Sequence, residues 1–447
     1  MQISANKGPL FTLFSAVVII IGSYFAIQYA KGNYHFTQDG FEKEAGILAT
    51  NSIPEGASVY IEGKLITATN DTVYLEPGTY SVKIDKDGYF PWEKTLKVEK
   101  NLVTQATARL FPNAPSLTPL TFVGVENISP SPDGQKLLYF TASSSSQAKN
   151  GLWVLELASN PLSFQKRPHQ VTNAPKDLKL QKSAVIWSPD SDQVLLVTAK
   201  KIFLLDLDKN ADLNQASPLT EVQVKDLLDG WEKEMLLKEQ QFLSKFPPEV
   251  IRLATQSAYN VYFSPDKKRL LYTASASANL PDRLISPLPA TSTQTQERQI
   301  KPGGIYVYDR EEDKNFKVGQ EHLAKKPKKH LLTKELAVKT GLLPSATAGA
   351  HLSLQASSPA ETAKNWQVYH SPLYADTYQW FPDSAYLLKA ENNTIKVKEY
   401  DGHNEHNIYS GNLIDQFVYP WPDGSRLVIY TAFSPATPLN LYAIELE

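Results

Sequence analysis

The chain has 447 residues, which is too long for one small core and predicts two or three folded units. Its formal net charge is -2 with basic and acidic residues interspersed, so the sequence gives no footprint for nucleic acid as a partner. The absence of cysteine excludes disulfides, thiolate metal ligands and a cysteine nucleophile.

The first predicted element is an apolar run at Gly8–Ala30 that contains no charged residue and has a lysine on either side. Its length and flanks predict a transmembrane helix over 9–30, preceded by a short cytoplasmic segment 1–8 and followed by a linker 31–45. A cleaved signal peptide and a buried soluble helix are the competing interpretations, but the small-x-small cleavage pattern is missing. We therefore expect an uncleaved single-pass anchor, with the membrane as a partner through this helix.

Between 46 and 111 the chain reads as short alternating strands joined by tight turns. Val59 and Ile61 fall on one face of the strand that precedes the hairpin loop Glu62-Gly63. Pro77-Gly78 makes a second turn, and Trp92 is the expected core anchor. This pattern predicts a small β-sandwich.

The tetrapeptide Pro54–Ala57, the later Pro-Gly-x-Tyr turn and the segment Gly-Tyr-x-x-Trp at 88–92 together resemble the PEGA domain, a small extracellular β-domain. The resemblance implies a location outside the cytoplasm and a shape, but no chemistry. The orientation of the predicted anchor also depends partly on this resemblance, because few charges flank the apolar run.

The remainder, 116–447, contains five copies of one pattern: an apolar strand, a Pro-Asp turn, a second apolar strand and then a third. This pattern predicts a β-propeller with five recognisable blades and resembles the TolB-like and WD-type propellers. The fold class is therefore all-β, with the small sandwich followed by the propeller. The turn prolines are Pro132, Pro189, Pro265, Pro382 and Pro422.

Fourth strands are predicted after the first four copies, including "PLTEV" at 218–222 in the second blade. The chain ends just after the third strand of the fifth copy, "NLYAIEL" at 440–446. The segment Ser116–Val125 carries the same Leu-Thr signature ahead of the first blade. We expect it to pair beside the last strand and close the ring, since an exposed edge would invite aggregation.

Three insertions interrupt the repeats. The segment 222–257 has apolar residues at helical spacing until Pro247-Pro248, which predicts a helical insertion packed on one blade or over the channel mouth. The loop 276–302 is rich in Pro, Ser and Thr and is predicted to be disordered. The segment 335–375 is either a long loop or a degenerate sixth blade.

The recurrent aspartates that follow the turn prolines are tempting as catalytic groups. Repetition argues against this role, because an active site needs one asymmetric constellation whereas a turn needs the same residue in every blade. His403 and His406 are spaced for a metal, but a solvated loop is the preferred interpretation. The sequence also lacks the common catalytic motifs, so we predict no catalytic residue, no metal and no cofactor.

Four aromatic residues are candidates for a binding surface. Trp231 and Phe242 lie on the predicted helical insertion, and Trp366 and Tyr369 lie in an irregular segment without a counterpart in the other repeats. Burial in the core is the competing interpretation for all four.

These expectations describe a protein of the cell membrane with most of the chain outside the cytoplasm. Its predicted role is non-catalytic: the propeller binds or scaffolds an envelope protein or a cell-wall polymer. One alternative is a propeller-type hydrolase of envelope glycan or peptide, with an acid cluster at the channel mouth. Another alternative is a ligand-sensing ectodomain.

Overall fold

The structure is a computed structural model that describes residues 8–30, 34–37, 40–43, 45–142, 146–157, 168–174, 183–286, 288, 292–321, 377–434 and 437–447. It divides into two compact units, one formed by Met1–Phe111 with Leu288–Gln294 and the other by Pro112–Pro287 with Thr295–Glu447. The segment 335–375 lies outside the described residues, so a sixth blade stays a prediction.

The apolar run forms helix α1 (Gly8–Ala30), and a short hairpin of β1 (Tyr34–Thr37) and β2 (Gly40–Lys43) follows it. Within the part of the chain whose side chains the structure describes, no helix is both long enough and apolar enough to cross a membrane. The helix predicted from the apolar run is present as α1, and its role as a membrane anchor stays a prediction.

The rest of the first unit is built from two sheets that share one core. The first sheet has the order β6 (Asp71–Leu75), β3 (Gly46–Ile53), β9 (Val103–Arg109), and the second has the order β5 (Lys64–Ala68), β4 (Ser58–Ile61), β7 (Gly78–Asp85), β8 (Trp92–Val98). Val59, Ile61 and Trp92 are buried between them as predicted, because alternate residues of each strand face the opposite sheet.

The corner at Pro54–Ala57 is held by hydrogen bonds among small polar groups. The Ser52 hydroxyl donates to the carbonyl oxygen of Pro54 at 2.6 Å and lies 2.6 Å from the Thr69 hydroxyl. The Thr69 oxygen also accepts from the backbone N–H of Ala57 at 2.9 Å. The tetrapeptide therefore serves as a structural turn.

The described part of the second unit contains five antiparallel sheets of three or four strands and one two-stranded sheet. We name the five larger sheets the first to fifth repeat sheets, because they correspond to the five sequence repeats. The strand β10 (Leu117–Pro119) comes first along the chain. The first repeat sheet then has β11 (Glu126–Pro130), β12 (Lys136–Thr141), β13 (Gly151–Glu156) and β14 (His169–Asn173), and the second has β15 (Ala184–Trp187), β16 (Gln193–Val197) and β17 (Ile202–Asp206).

Helices α2 (Glu221–Leu243) and α3 (Pro248–Gln256) follow the second repeat sheet. The third repeat sheet has β18 (Ala258–Phe263), β19 (Arg269–Ala274), β22 (Gly304–Asp309) and β23 (Lys314–Gln320), with the short pair β20 (Ala278–Asn279) and β21 (Gln299–Ile300) inserted in it. The fourth has β24 (Gln379–Trp380), β25 (Tyr386–Glu391), β26 (Thr394–Glu399) and β27 (His406–Ser410).

The fifth repeat sheet joins the beginning of the unit to its end. Its order is β10, β30 (Asn440–Glu445), β29 (Arg426–Thr431), β28 (Val418–Pro420), and Leu117 pairs with Ile444. The prediction that Ser116–Val125 pairs beside the last strand is therefore confirmed. Just beyond the pairing, the buried side-chain oxygen of Asn440 accepts from the Thr121 hydroxyl at 3.0 Å and from the Gly124 N–H at 3.1 Å.

The prediction of a fourth strand at 218–222 in the second blade is wrong. The Leu219 N–H donates to the carbonyl oxygen of Ile202 at 2.8 Å, as a fourth strand would, but Thr220 then caps α2. Thr220 and Gln223 form a capping box, in which each side chain accepts from the other residue's backbone N–H. This local signal for a helix start overrides the strand pattern.

The loop 276–302, predicted to be disordered, forms defined contacts in its described residues. Leu280 is buried, and β20 pairs with β21. The Arg298 guanidinium lies 3.1 Å from a carboxylate oxygen of Asp282 and 3.1 Å from one of Asp313. These ion pairs and the short strand pair order the described part of the loop, which its Pro, Ser and Thr content did not indicate.

The turns between the first two strands of every repeat share one geometry. In each turn the aspartate carboxylate accepts from the backbone N–H two residues later, which confirms the turn role; these residues are Asp133, Asp190, Asp266, Asp383 and Asp423. The residue after each aspartate has positive φ; these residues are Gly134 (76°), Ser191 (63°), Lys267 (61°), Ser384 (62°) and Gly424 (75°).

We expect Asn440→Ala to lower the free energy of unfolding of the second unit by about 2 kcal/mol, because the buried Gly124 N–H and Thr121 hydroxyl both lose their acceptor. Urea unfolding followed by circular dichroism measures this loss. The exposed Asn210→Ala is the matched control and should shift stability by less than about 0.5 kcal/mol. Equal stability of the two variants would show that this hydrogen-bond network does not hold the N-terminal strand in place.

Candidate binding site where the helical insertion meets the third repeat sheet

The helical insertion packs against two repeat sheets, where the sequence predicted one sheet or the channel mouth. Val224, Leu228 and Trp231 on the first half of α2 pack against Ile186 and Ile202 of the second repeat sheet. Further along, a second cluster joins the end of α2 and α3 to the third repeat sheet; its members include Leu243, Phe246, Val250, Leu270, Tyr272 and Tyr308. The insertion therefore connects neighbouring sheets through its two ends.

This packing buries Trp231 and leaves Phe242 partly exposed, although both were predicted to lie on a binding surface. Trp231 is 8% exposed and lies in the cluster with the second repeat sheet, so a binding role for its indole would require α2 to leave that sheet. Phe242 is half-buried at the last turn of α2. Trp366 and Tyr369 lie outside the described residues.

Phe242 begins a group of aromatic rings that runs from the surface into the core. Its ring centroid lies 6.0 Å from that of Phe263 in an edge-to-face arrangement. Phe263 lies 5.9 Å from Phe246, and Phe246 lies 6.3 Å from the buried Tyr308. Such contacts fix ring orientation and hold the end of α2 against the third repeat sheet.

Three cations surround these rings. The ammonium groups of Lys245 and Lys267 lie 5.9 and 5.1 Å from the centroid of Phe242, and the Arg310 guanidinium lies 5.9 Å from that of Phe246. We name Phe242, Phe246, Lys245, Lys267 and Arg310 the cationic patch. Its cations come from the segment just after α2, from the turn after β18 and from the turn after β22.

Among the described residues, no carboxylate oxygen lies within 4.0 Å of a side-chain nitrogen of Lys245, Lys267 or Arg310. Nearby cations do have such partners: Lys268 lies 2.9 Å from Glu311, and Lys238 lies 2.8 Å from Glu234. The cationic patch therefore carries positive charge that no ion pair at close range balances.

Lys267 holds an unfavourable backbone conformation. Its φ of 61° is in the left-handed region, which costs a residue with a side chain roughly 1 kcal/mol relative to glycine. Two of the equivalent turns use glycine. Two use serine, whose hydroxyl accepts a backbone N–H from the preceding repeat: Asp133 to Ser191 at 3.2 Å and Asp266 to Ser384 at 3.0 Å. Lysine can perform neither role.

Glu239 lies one turn before Phe242 on α2, close to Lys267. Burial raises the pKa of its carboxyl group to about 7, and the Lys267 ammonium opposes this shift. Burial also lowers the pKa of Lys267, while Asp266 and Glu239 counteract that effect. Near neutral pH the charge at this junction therefore depends on the protonation of Glu239.

Sequence reasoning found Phe242 but missed the three cations. Lys245 is one turn beyond Phe242 and was visible only as a charge outside the apolar stripe. Arg310 comes from a turn far away in sequence. Lys267 had a signal, because it stands where the other four repeats have glycine or serine.

Of the histidine pair considered for metal binding, His403 lies in the turn between β26 and β27, and His406 is the first residue of β27. The Nδ1 atom of His403 lies 3.3 Å from a carboxylate oxygen of the buried Asp401. Among the described residues, no group of three or more histidine or acidic side chains is arranged to hold a metal ion.

We expect Trp231→Ala to lower the free energy of unfolding by about 3 kcal/mol, because it leaves a large cavity between α2 and the second repeat sheet. Leu237→Ala is the matched control, since Leu237 is 57% exposed on the same helix and its truncation should cost less than about 0.5 kcal/mol. Urea titration separates the two. If both variants are equally stable, Trp231 does not anchor the helix.

Glu239→Gln should change the pH dependence of stability. Because folding raises the pKa of Glu239, its neutral form stabilises the fold; this contribution is complete below pH 4.5 and is lost as the pH rises to about 7. The wild type should therefore lose up to about 3 kcal/mol over this interval relative to Glu239→Gln, at 1.4 kcal/mol per pH unit. Urea unfolding at several pH values measures the difference. The exposed Glu234→Gln is the control, and a parallel course of all three proteins would contradict the prediction.

Comparisons with known proteins agree with part of this description. Residues 45–113 match the PEGA domain family, which confirms the resemblance of the first unit. No curated protein matches the chain. Among solved structures, the chain is similar to a putative TolB from Agrobacterium tumefaciens, with 14% identity, 74% of this chain and 83% of that chain covered, and a TM-score of 0.21. It is also similar to TolB from Acinetobacter baumannii, with 12% identity, 82% and 60% covered, and a TM-score of 0.20. TM-scores this low do not support assigning the fold or the function of these proteins to this chain.

Proposed function

We propose that this chain is a membrane-anchored extracytoplasmic binding protein. Its second unit is a β-propeller that holds an envelope protein or a cell-wall polymer through the cationic patch, without catalysis. The single observation that carries the binding role is a group of three cations around a partly exposed aromatic group, with no close carboxylate partner among the residues that the structure describes.

The anchoring part of the proposal is supported by the side chains of α1. Ile19 and Ile20 are 67% and 68% exposed, and Val17 and Val18 are about half exposed. Exposure of so many branched apolar side chains in water is unfavourable by roughly 25 cal/mol for each Å². Transfer of this helix into lipid removes that penalty, and the PEGA match at 45–113 is consistent with a domain outside the cytoplasm.

The propeller part is supported by the repeat sheets. Five antiparallel sheets of three or four strands follow one another, and the fifth takes its outer strand from the beginning of the unit. This exchange is the way a ring of blades joins its ends. A ring positions its turns on common faces, where residues from different repeats can contact one ligand.

A binding assay with matched variants tests the proposal. The full chain in detergent micelles is mixed with purified cell-wall material or solubilised envelope proteins of the source cell. We expect Phe242→Ser with Lys245→Gln to weaken retention at least tenfold. The matched control is Val222→Ser with Lys225→Gln, which changes an exposed apolar residue and an exposed lysine on the first turns of α2. Equal retention of both variants, or no retention of the wild type, would contradict the proposal.

A further inference from the structure

We propose that the cationic patch recognises a phosphodiester polymer with polyol or sugar repeats, and that Lys267 is the residue that selects it. The inference rests on the proposed function and names the chemical class of its ligand. Two independent observations carry it: the charges of the patch, which have no close carboxylate partner within the described chain, and the backbone of Lys267.

The charge argument begins with the ion pairs of the same turns. Arg269 bonds Asp309 at 2.7 Å and Lys268 bonds Glu311 at 2.9 Å, so these cations are balanced within the fold. Lys245, Lys267 and Arg310 are not balanced in this way within the described chain. Three such cations around one group of rings attract an anion and release counterions when it binds.

The backbone argument concerns why a lysine stands at this turn. Where the first repeat sheet meets the second, and the third meets the fourth, the serine in this position bonds the preceding repeat. Between the second and third sheets the helical insertion takes part in the junction, and Lys238 of α2 donates to the Pro189 carbonyl of the second turn at 3.4 Å. Position 267 therefore has no need for a serine. Glycine would remove the strain, whereas the lysine side chain places an ammonium group 5.1 Å from the centroid of the Phe242 ring, a position that glycine cannot fill. The Nε atom of Arg310 donates to the Lys267 carbonyl at 3.2 Å and keeps the two cations together.

The geometry favours a ligand with charge in its main chain. The ammonium groups of Lys245 and Lys267 are at most about 11 Å apart, because they lie 5.9 and 5.1 Å from the same ring centroid. A polymer that alternates phosphate with CH groups can contact both cations and the ring that they share. An acidic peptide carries its charges on flexible side chains, and ordering each side chain weakens binding. The guanidinium of Arg310 also matches the oxygens of a phosphate.

The experiment measures binding of a fluorescent poly(glycerol phosphate) oligomer to the full chain in neutral detergent micelles, by anisotropy at several salt concentrations. We expect Lys267→Gly to weaken binding at least tenfold and to reduce the salt dependence. Its thermal unfolding should stay at or above that of the wild type, because glycine relieves the backbone strain. Lys200→Gly, which removes an exposed lysine from the turn between β16 and β17, is the charge-matched control and should bind as the wild type does.

Other results would overturn the inference. Unchanged binding by Lys267→Gly, or a fall in its unfolding temperature that accounts for the weaker binding, makes Lys267 a structural contact between α2 and the third repeat sheet. Equal affinity for poly-L-glutamate identifies an acidic protein segment as the ligand class instead. Tighter binding to phosphatidylglycerol vesicles than to the oligomer identifies a lipid surface. The first two results overturn the inference while the wild type still retains envelope material and the variant with Phe242→Ser and Lys245→Gln still loses it. A preference for lipid vesicles, or loss of retention by the wild type, contradicts the proposed function as well.

Discussion

The contact of the helical insertion with two repeat sheets is the interaction on which the candidate site depends. Trp231 fixes the first half of α2 on the second repeat sheet, and Phe246 fixes its end on the third. A helix held at both ends has little freedom to rotate, so Phe242 on its last turn and Lys245 just beyond its end keep their direction. The turn that carries Lys267 belongs to the third repeat sheet, and the same packing brings it against Phe242.

The insertion also changes what the repeat requires of its turns. Where repeat sheets meet directly, the turn residue with positive φ takes part in holding neighbours together, as Ser191 and Ser384 do, and a cation assists it. Lys136 donates to the Ser191 carbonyl at 2.8 Å, and Arg269 donates to that of Ser384 at 2.9 Å. At the junction that contains helices a cation assists in the same way, because the Nε atom of Arg310 donates to the Lys267 carbonyl at 3.2 Å, but the side chain at position 267 does not have to bond a neighbouring turn. The glycine and serine of the other four turns show which residues this backbone conformation favours. The lysine at position 267 departs from that pattern and is informative for this reason.

The fold could be predicted from the sequence where the signals are local or repeated. Turn chemistry identified the Pro-Asp turns, and the Leu-Thr signature at Ser116–Val125 identified the partner of β30, although the two lie at opposite ends of the unit. The prediction of a fourth strand at 218–222 failed because a strand pattern and the capping box of Thr220 occupy the same residues, and the helix formed. The alternation of apolar and polar residues cannot decide such a case.

The site was less predictable, because its parts come from separate segments and only the fold brings them together. An apolar stripe at helical spacing includes both Trp231 and Phe242, and the sequence does not say which of them reaches the surface. Trp231 is buried because it packs against the second repeat sheet. Phe242 lies beyond the last turn that this sheet covers, so it remained partly exposed among cations that no sequence pattern connects.

The charges at this junction link ligand binding to protonation. Lys267 faces Glu239 of α2 and Asp266 of its own turn, and the ionised Glu239 offsets part of the attraction that Lys267 exerts on an anion. Proton uptake by Glu239 removes that offset, and burial already places its pKa at about 7. Since linkage is reciprocal, a bound anion must in turn raise the pKa of Glu239. The buried carboxyl and the strained lysine therefore act on the same ligand, one through its proton and the other through its fixed charge.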